Sequence, residues 1–228
     1  MWKFWRRKKD RVDPAAIAQR LERMRREYKK TRLSEKEVDP DPLKQFLRWL
    51  DEAIQAQVWE PNAMALATVK PDGTPAVRMV LLKGVDHGLR FYTNLNSPKA
   101  QQLRQNPHTA VVFFWPELER QVRIEGVAEE LEREIVEAYF QTRPFASRIG
   151  AWVSPQSQPI ASRFEIEKAF AKLAARYAGG NVPVPPHWGG FRIIPTQFEF
   201  WQGRQARLHD RIRYRKENGR WIIERLAP

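Results

Sequence analysis

The chain has 228 residues and no cysteine, which excludes disulfides and thiolate metal sites. Forty Lys and Arg against 27 Asp and Glu leave a formal charge of +13, a bias towards anionic partners that does not separate phosphate cofactors from nucleic acid or anionic lipid. No apolar run approaches the roughly 20 residues that span a bilayer, and the basic N-terminus lacks a secretory apolar segment, so the chain reads as soluble and cytoplasmic.

Residues 1–12 carry six Lys and Arg beside Trp2, Phe4 and Trp5. They read as a disordered basic tail, with a membrane-surface or RNA-binding arm as the alternative. Residues 13–228 read as one domain, long enough for a proper core. Asp13 and Pro14 open a helix that Ile17, Leu21, Met24 and Tyr28 carry at helical spacing to about residue 30. The VDPDP run breaks the chain. A second helix follows from Asp41 and Pro42, with Phe46, Leu47, Leu50 and Ile54 predicted on one face.

From residue 63 the texture becomes strand-like. AMALATV, PAVRMVLLKGV and LRFYTN are predicted as three consecutive strands joined by PDGT and DHG turns. SPKAQQLRQNP predicts a short helix with Ser97 as N-cap and Pro98 at its first position. TAVVFFW and RQVRIEGVAEEL are strands around a PELE turn, and 132–142 and 163–177 are helical by period. FRIIPTQFEFWQG, ARLHDRIRYRK and RWIIERLAP close the chain as strands, the last two joined at ENG. Six to eight mostly antiparallel strands with flanking helices suggest a small decorated barrel, mainly β.

Several residues suit anion binding. Arg78 and Lys83 end one apolar strand, five positions apart, an odd spacing that sets them on opposite faces unless a bulge intervenes. Ser97 and Lys99 begin a helix, where free backbone N–H groups favour phosphate, although a serine there can simply cap. Gln121 sits inside an apolar segment and needs a backbone or ligand partner. Tyr139 and Arg143 are i, i+4, and Ser147 follows in the loop after Pro144; hydroxyls and a guanidinium together can hold a phosphate monoester. Gln156 and Ser157 lie in a polar loop. If ARLHDR is a strand, Arg207, His209 and Arg211 share one face beside Trp201, as a ligand-lined wall or a wet basic face. The four scattered histidines give no metal spacing, and no glycine-rich dinucleotide or phosphate loop occurs. Discrete anion clusters with aromatic neighbours suit a phosphorylated planar cofactor better than a long nucleic acid, which remains the rival reading.

RMVLLK, FYTN, SPKA, LERQV, IGAWVS, WGGFR, FWQG, RLHDR and the terminal RLAP, in this order, resemble the pyridoxine (pyridoxamine) 5′-phosphate oxidase family from about residue 20 to 228. The resemblance implies a homodimer of FMN-binding split barrels with flavin sites at the subunit interface. It implies oxidation of pyridoxine or pyridoxamine 5′-phosphate to pyridoxal 5′-phosphate with O2, releasing H2O2, and ammonia from the amine. The FMN residues would be Arg78, Met79, Val80, Leu81, Leu82, Lys83, Tyr92, Thr93, Lys99, Gln121, Gln156, Ser157, Trp201 and Arg211. The substrate residues would be Lys83, Tyr139, Arg143, Ser147, Arg207 and His209, the last two catalytic, together with Arg25, Arg26, Glu27 and Tyr28. Pro98 stands where the family commonly has an arginine beside Lys99, which removes one flavin-phosphate contact and keeps a helix start. A related split-barrel flavoprotein with another substrate is the alternative.

Overall fold

The computed structural model describes residues 13–24, 27–28 and 31–228; the tail read over 1–12, and Arg25 and Arg26, lie outside them. The elements are α1 (Pro14–Arg23), α2 (Pro42–Gln55), β1 (Ala63–Val69), β2 (Pro75–Leu81), β3 (Gly84–Val85), β4 (Leu89–Asn94), α3 (Pro98–Gln105), β5 (His108–Trp115) and β6 (Arg120–Glu130). They continue with α4 (Arg133–Thr142), α5 (Phe145–Val153), α6 (Arg163–Arg176), β7 (Trp188–Gln202), β8 (Asp210–Glu217) and β9 (Arg220–Arg225). None of the described helices is long and apolar enough to cross a membrane.

Nine antiparallel strands form one curled sheet in the order β2-β1-β5-β6-β7-β4-β3, with β8 and β9 added beside β7. The fifteen-residue β7 organises it. Along one edge β7 pairs with β6 from Phe191 to Gln202; along the other it pairs first with β4 and then with β8. The change of partner falls at a bulge, where Glu125 faces Gln197 and Gly126 faces Pro195, leaving Thr196 without an opposite number. Proline has no N–H to give a ladder, so Pro195 fits only where pairing lapses. Gly126 permits the close approach, because a Cβ there would lie 2.2 Å from the Ile194 carbonyl oxygen.

The sheet's inner face and α2 make the main core. Phe46 and Trp49 of α2 reach Phe113 and Phe200 at ring separations of 4.9 and 5.2 Å. The buried residues of α2 are Pro42, Gln45, Phe46, Trp49 and Ala53, whereas Leu47 and Ile54, expected on that face, are exposed. The helix is rotated from the expected stripe because Trp49, the largest group, takes the core. A smaller cluster around Phe140, Ile149 and Val182 joins α4, α5 and α6.

Other expectations need correction. The first helix stops at Arg23, not near residue 30, and Met24 is extended. Its stripe of Ile17, Leu21 and Met24 is exposed, so nothing among the described residues rewards further turns. The run PAVRMVLLKGV divides after Leu81 into β2 and β3. Ser147 lies in α5, not a loop, because Pro144 starts a new helix that buries Ile149. ARLHDR is not a strand: Gln205–Arg207 form a 3₁₀ turn, and β8 begins only at Asp210.

If the bulge depends on close approach at Gly126, Gly126→Ala should destabilise the fold by about 2–3 kcal/mol through overpacking. For a chain of this size that lowers the melting temperature by about 5–10 °C, read by calorimetry. An unchanged melting temperature would show that β7 can move away without cost.

Candidate active site

Four cations converge on one end of the sheet. The strand break after Leu81 turns Lys83 into a cleft of about 250 Å³ with Met79, Tyr92, Lys99, Tyr139 and Arg143. Arg78 lies behind it on the inward side of β2. Its guanidinium donates to Thr68 Oγ1, to the Leu66 and Ala76 carbonyls and to Gln102 Oε1. Lys99, on the first turn of α3, donates from Nζ to Thr93 Oγ1, Ser97 Oγ and Gln156 Oε1 at 3.1, 3.3 and 3.0 Å. Ser97 therefore occupies the N-cap position without a side-chain cap bond, and its hydroxyl serves Lys99. Pro98 holds the first helical position, so the helix start survives without an arginine there.

None of these supports is charged. Among the described residues, Arg78, Lys83, Lys99 and Arg143 have no ion pair, while Arg192, Arg211 and Arg225 are each fixed by carboxylates. Burial holds Lys99 below the ordinary lysine value, and the neighbouring Arg78 charge adds to the effect. Burial likewise lowers Arg143, and one of its terminal nitrogens is buried without a partner. Positive groups crowded in a partly dry cleft repel one another, and an entering anion relieves that repulsion. Tyr92 and Tyr139 stack at 3.8 Å with ring planes 9° apart, forming a flat wall.

Other expected residues are less involved. Val80 and Leu81 line the cleft, but Leu82 is buried in the core and reached by Asn62 through its backbone. Ser147 is half-buried on α5, outside the cleft lining. Ser157 is exposed with φ of 68°, next to Gln156. Trp188, quoted in WGGFR but not singled out, lines the cleft. Its signal in sequence is only its place before two glycines.

A second group lies elsewhere on the sheet. Gln121 on β6, Trp201 on β7 and Arg211 on β8 are directly paired, so three separate motifs form one row on one face. Gln121 is half-buried there rather than sealed in the core. Arg211 donates from Nε to buried Glu199 at 2.8 Å and from Nη1 to the Ala227 carbonyl. Tyr28 packs edge-on against Trp201 and His209 at 5.5 and 5.4 Å, and Arg207 reaches its ring at 5.9 Å. Glu27 precedes it, exposed. The backbone N–H of Arg204 donates to His209 Nδ1 at 3.1 Å, which fixes the neutral ring's proton on Nε2. Burial and the Arg207 charge hold this histidine below 6.5. Ala206 and Arg207 both have positive φ, 54° and 62°, so the loop carrying Arg207 is strained.

Among the described residues, no hydrogen bond, ion pair or ring contact joins this row to the cationic cleft. The row continues through Phe114 to the apolar outer face of β1 and β2. There Val77, Met79 and Phe114 are 70%, 63% and 57% exposed, a patch that no described residue of the chain covers.

A family model described as pyridoxamine 5′-phosphate oxidase matches residues 50–177, and one described as pyridoxine 5′-phosphate oxidase C-terminal dimerisation region matches 188–228. A pyridoxine/pyridoxamine 5′-phosphate oxidase of Gloeothece citriformis is 54% identical over 90% of this chain and 97% of its own length. One of Rubrobacter xylanophilus is 50% identical over 94% of this chain and 100% of its own. Among solved structures, PhzG from Burkholderia lata 383, in complex with tetrahydrophenazine-1-carboxylic acid, aligns at a TM-score of 0.82 and 30% identity, covering 86% of this chain and 98% of that one. A pyridoxamine 5′-phosphate oxidase-related, FMN-binding protein from Nostoc punctiforme shares the fold at a TM-score of 0.67 and 21% identity, covering 84% and 100%. This chain belongs to the pyridoxine/pyridoxamine 5′-phosphate oxidase family.

Proposed function

We propose that the chain oxidises pyridoxine 5′-phosphate or pyridoxamine 5′-phosphate to pyridoxal 5′-phosphate, using FMN and O2. The observation that carries this reading is the cleft of cations held only by neutral oxygens and aromatic faces. The cofactor and the substrate each pair a phosphate monoester with a planar ring, which matches that chemistry. The alcohol and O2 give the aldehyde and H2O2; the amine, O2 and water give the aldehyde, ammonia and H2O2. Bound FMN supplies the two-electron acceptor that the protein's own side chains lack.

The chain's residues divide the remaining work. Lys99, backed by Arg78 and flanked by Thr93, Gln156 and Ser157, holds the flavin phosphate, while Met79, Val80, Leu81, Lys83 and Tyr92 line the ring's bed. Lys83, Tyr139, Arg143 and Ser147 clamp the substrate phosphate, spending contacts remote from the reacting carbon on its alignment. Gln121, Trp201 and Arg211 come from a second copy, whose apolar outer face covers Val77, Met79 and Phe114; a homodimer therefore completes two sites. Arg211, oriented by Glu199, would offer a guanidinium hydrogen-bond donor to the ring. Arg207 and His209 orient the pyridine ring, with His209 offering a donor from Nε2 as a neutral group. Tyr28 borders the same space through its packing on Trp201 and His209.

The PhzG likeness favours a second reading, a related flavoprotein acting on a planar carboxylic acid. Arg143 and Lys83 would then meet a carboxylate instead of a phosphate.

Purified chain with FMN and pyridoxine 5′-phosphate should form pyridoxal 5′-phosphate only in air, with one H2O2 per aldehyde. Bound flavin without aldehyde would overturn the reaction and leave the second reading. Arg207→Ala should retain FMN and lose at least about a hundredfold in kcat/KM, in the range expected for misaligned substrate; full turnover would remove Arg207 from the work.

Lys99 gives a pH dependence of known sign. Its ammonium is already disfavoured in the free protein, so deprotonation begins below 10.5. A dianionic phosphate needs the ammonium, so FMN affinity should fall as pH rises through that lowered value. Titration of Lys99→Ala should show weaker FMN binding and no alkaline fall of this kind. An identical pH profile in the variant would assign the dependence to another group.

A further inference from the structure

Arg143 is held in an unusual way for this molecule. Most of its partly buried guanidiniums lean on carboxylates, as Arg192 does on Asp86, Arg211 on Glu199 and Arg213 on Glu224. Arg143 has no such partner. Its guanidinium carbon lies 4.1 Å from the centre of the Trp188 ring and 5.6 Å from that of Phe140. The two aromatic rings are themselves packed edge-on at 6.0 Å.

The indole is fixed by its backbone from several directions. Trp188 begins β7 opposite Asn94, and its N–H donates to the Pro185 carbonyl at 3.0 Å. Its carbonyl accepts from Arg133 Nη1 at 3.1 Å. The next residue must be small, because a Cβ on Gly189 would meet the Leu95 side chain at 2.7 Å. These contacts fix the Trp188 backbone, and edge-on packing against Phe140 sets the ring beside the guanidinium.

An aromatic face attracts a cation through its quadrupole and brings no counter-charge. A carboxylate in the same place would hold the arginine as firmly and cancel the charge that a ligand needs. The planar fork of arginine, unlike lysine, can stack and still present N–H groups along its edge. We propose that Trp188 is a positioning residue of the substrate site: its indole face holds Arg143 against the cleft with its charge intact, and so sets the preference for phosphorylated over unphosphorylated ligands. This rests on the proposed function only in placing a phosphate at Arg143.

The test is a double-mutant cycle on the FMN-loaded protein, with inorganic phosphate and pyridoxal 5′-phosphate as probes in equilibrium titrations. Trp188→Leu should weaken both about tenfold, the span of a desolvated cation–π contact. It should leave pyridoxal binding and FMN affinity within twofold of wild type. In an Arg143→Ala background, the same substitution should add less than twofold. Trp188→Phe, which keeps a weaker face, should restore most of the phosphate affinity, and it carries the cycle if the leucine variant does not fold. An equal loss in the Arg143→Ala background would overturn the proposal, since Trp188 would then act through packing alone. So would a parallel loss of pyridoxal affinity. Phosphate binding needs no turnover, so a chain inactive towards both vitamers would sink the proposed reaction and leave this cycle readable.

Discussion

The arrangement depends on keeping several cations close together without neutralising them. Arg78, Lys99 and Arg143 are each partly desolvated, and burial is the leading reason that each is harder to charge than in water. The protein answers with neutral partners: carbonyls and Gln102 for Arg78, hydroxyls and Gln156 for Lys99, an indole for Arg143. Such contacts fix geometry while preserving charge, at a cost in stability that a bound dianion would offset. Excess positive charge over the whole chain is only the background to this local choice. Many of the described surface arginines are matched with Asp or Glu, so the +13 says less about function than the few unmatched groups do.

The long strand β7 connects the fold to the chemistry. Its first half pairs with β4 and brings Trp188 beside the cationic cleft. Its second half pairs with β8 and sets Trp201 between Gln121 and Arg211. The bulge at Gly126 is the hinge between those two partnerships, so a packing feature far from either group fixes the relation between them. The two groups remain apart in one chain. The uncovered apolar strip running through Val77, Met79 and Phe114 lies on the same sheet face as the row containing Trp201, as the dimeric reading requires.

Local chemistry was the part of the structure legible in the sequence. Pro after Asp13, Asp41 and Ser97 marks three helix starts, and all three helices begin at the expected proline. Alternating apolar strands were also readable, because burial of one sheet face imposes a period of two. What failed depended on distant partners. Tyr28 has the right spacing for α1, but Trp201 and His209 provide it with a surface outside that helix. Arg207 and His209 looked like strand residues; consecutive positive φ angles at Ala206 and Arg207, both disfavoured for non-glycine residues, make a turn that no propensity suggests. The row of Gln121, Trp201 and Arg211 needed strand register, which lies outside sequence periodicity. The family resemblance names all three as flavin residues, and strand pairing makes them neighbours in one row.

The central claim is that the unmatched cations exist for phosphate groups. Comparing FMN with riboflavin by equilibrium titration tests it most directly, since the two differ only in the phosphate. Two charge-assisted hydrogen bonds of about 1.5–3 kcal/mol each predict that FMN binds at least about a hundredfold more tightly. The advantage should shrink with added salt. Equal affinities for the two flavins would contradict the account, because Lys99 and Arg78 would then be serving the fold and not the ligand.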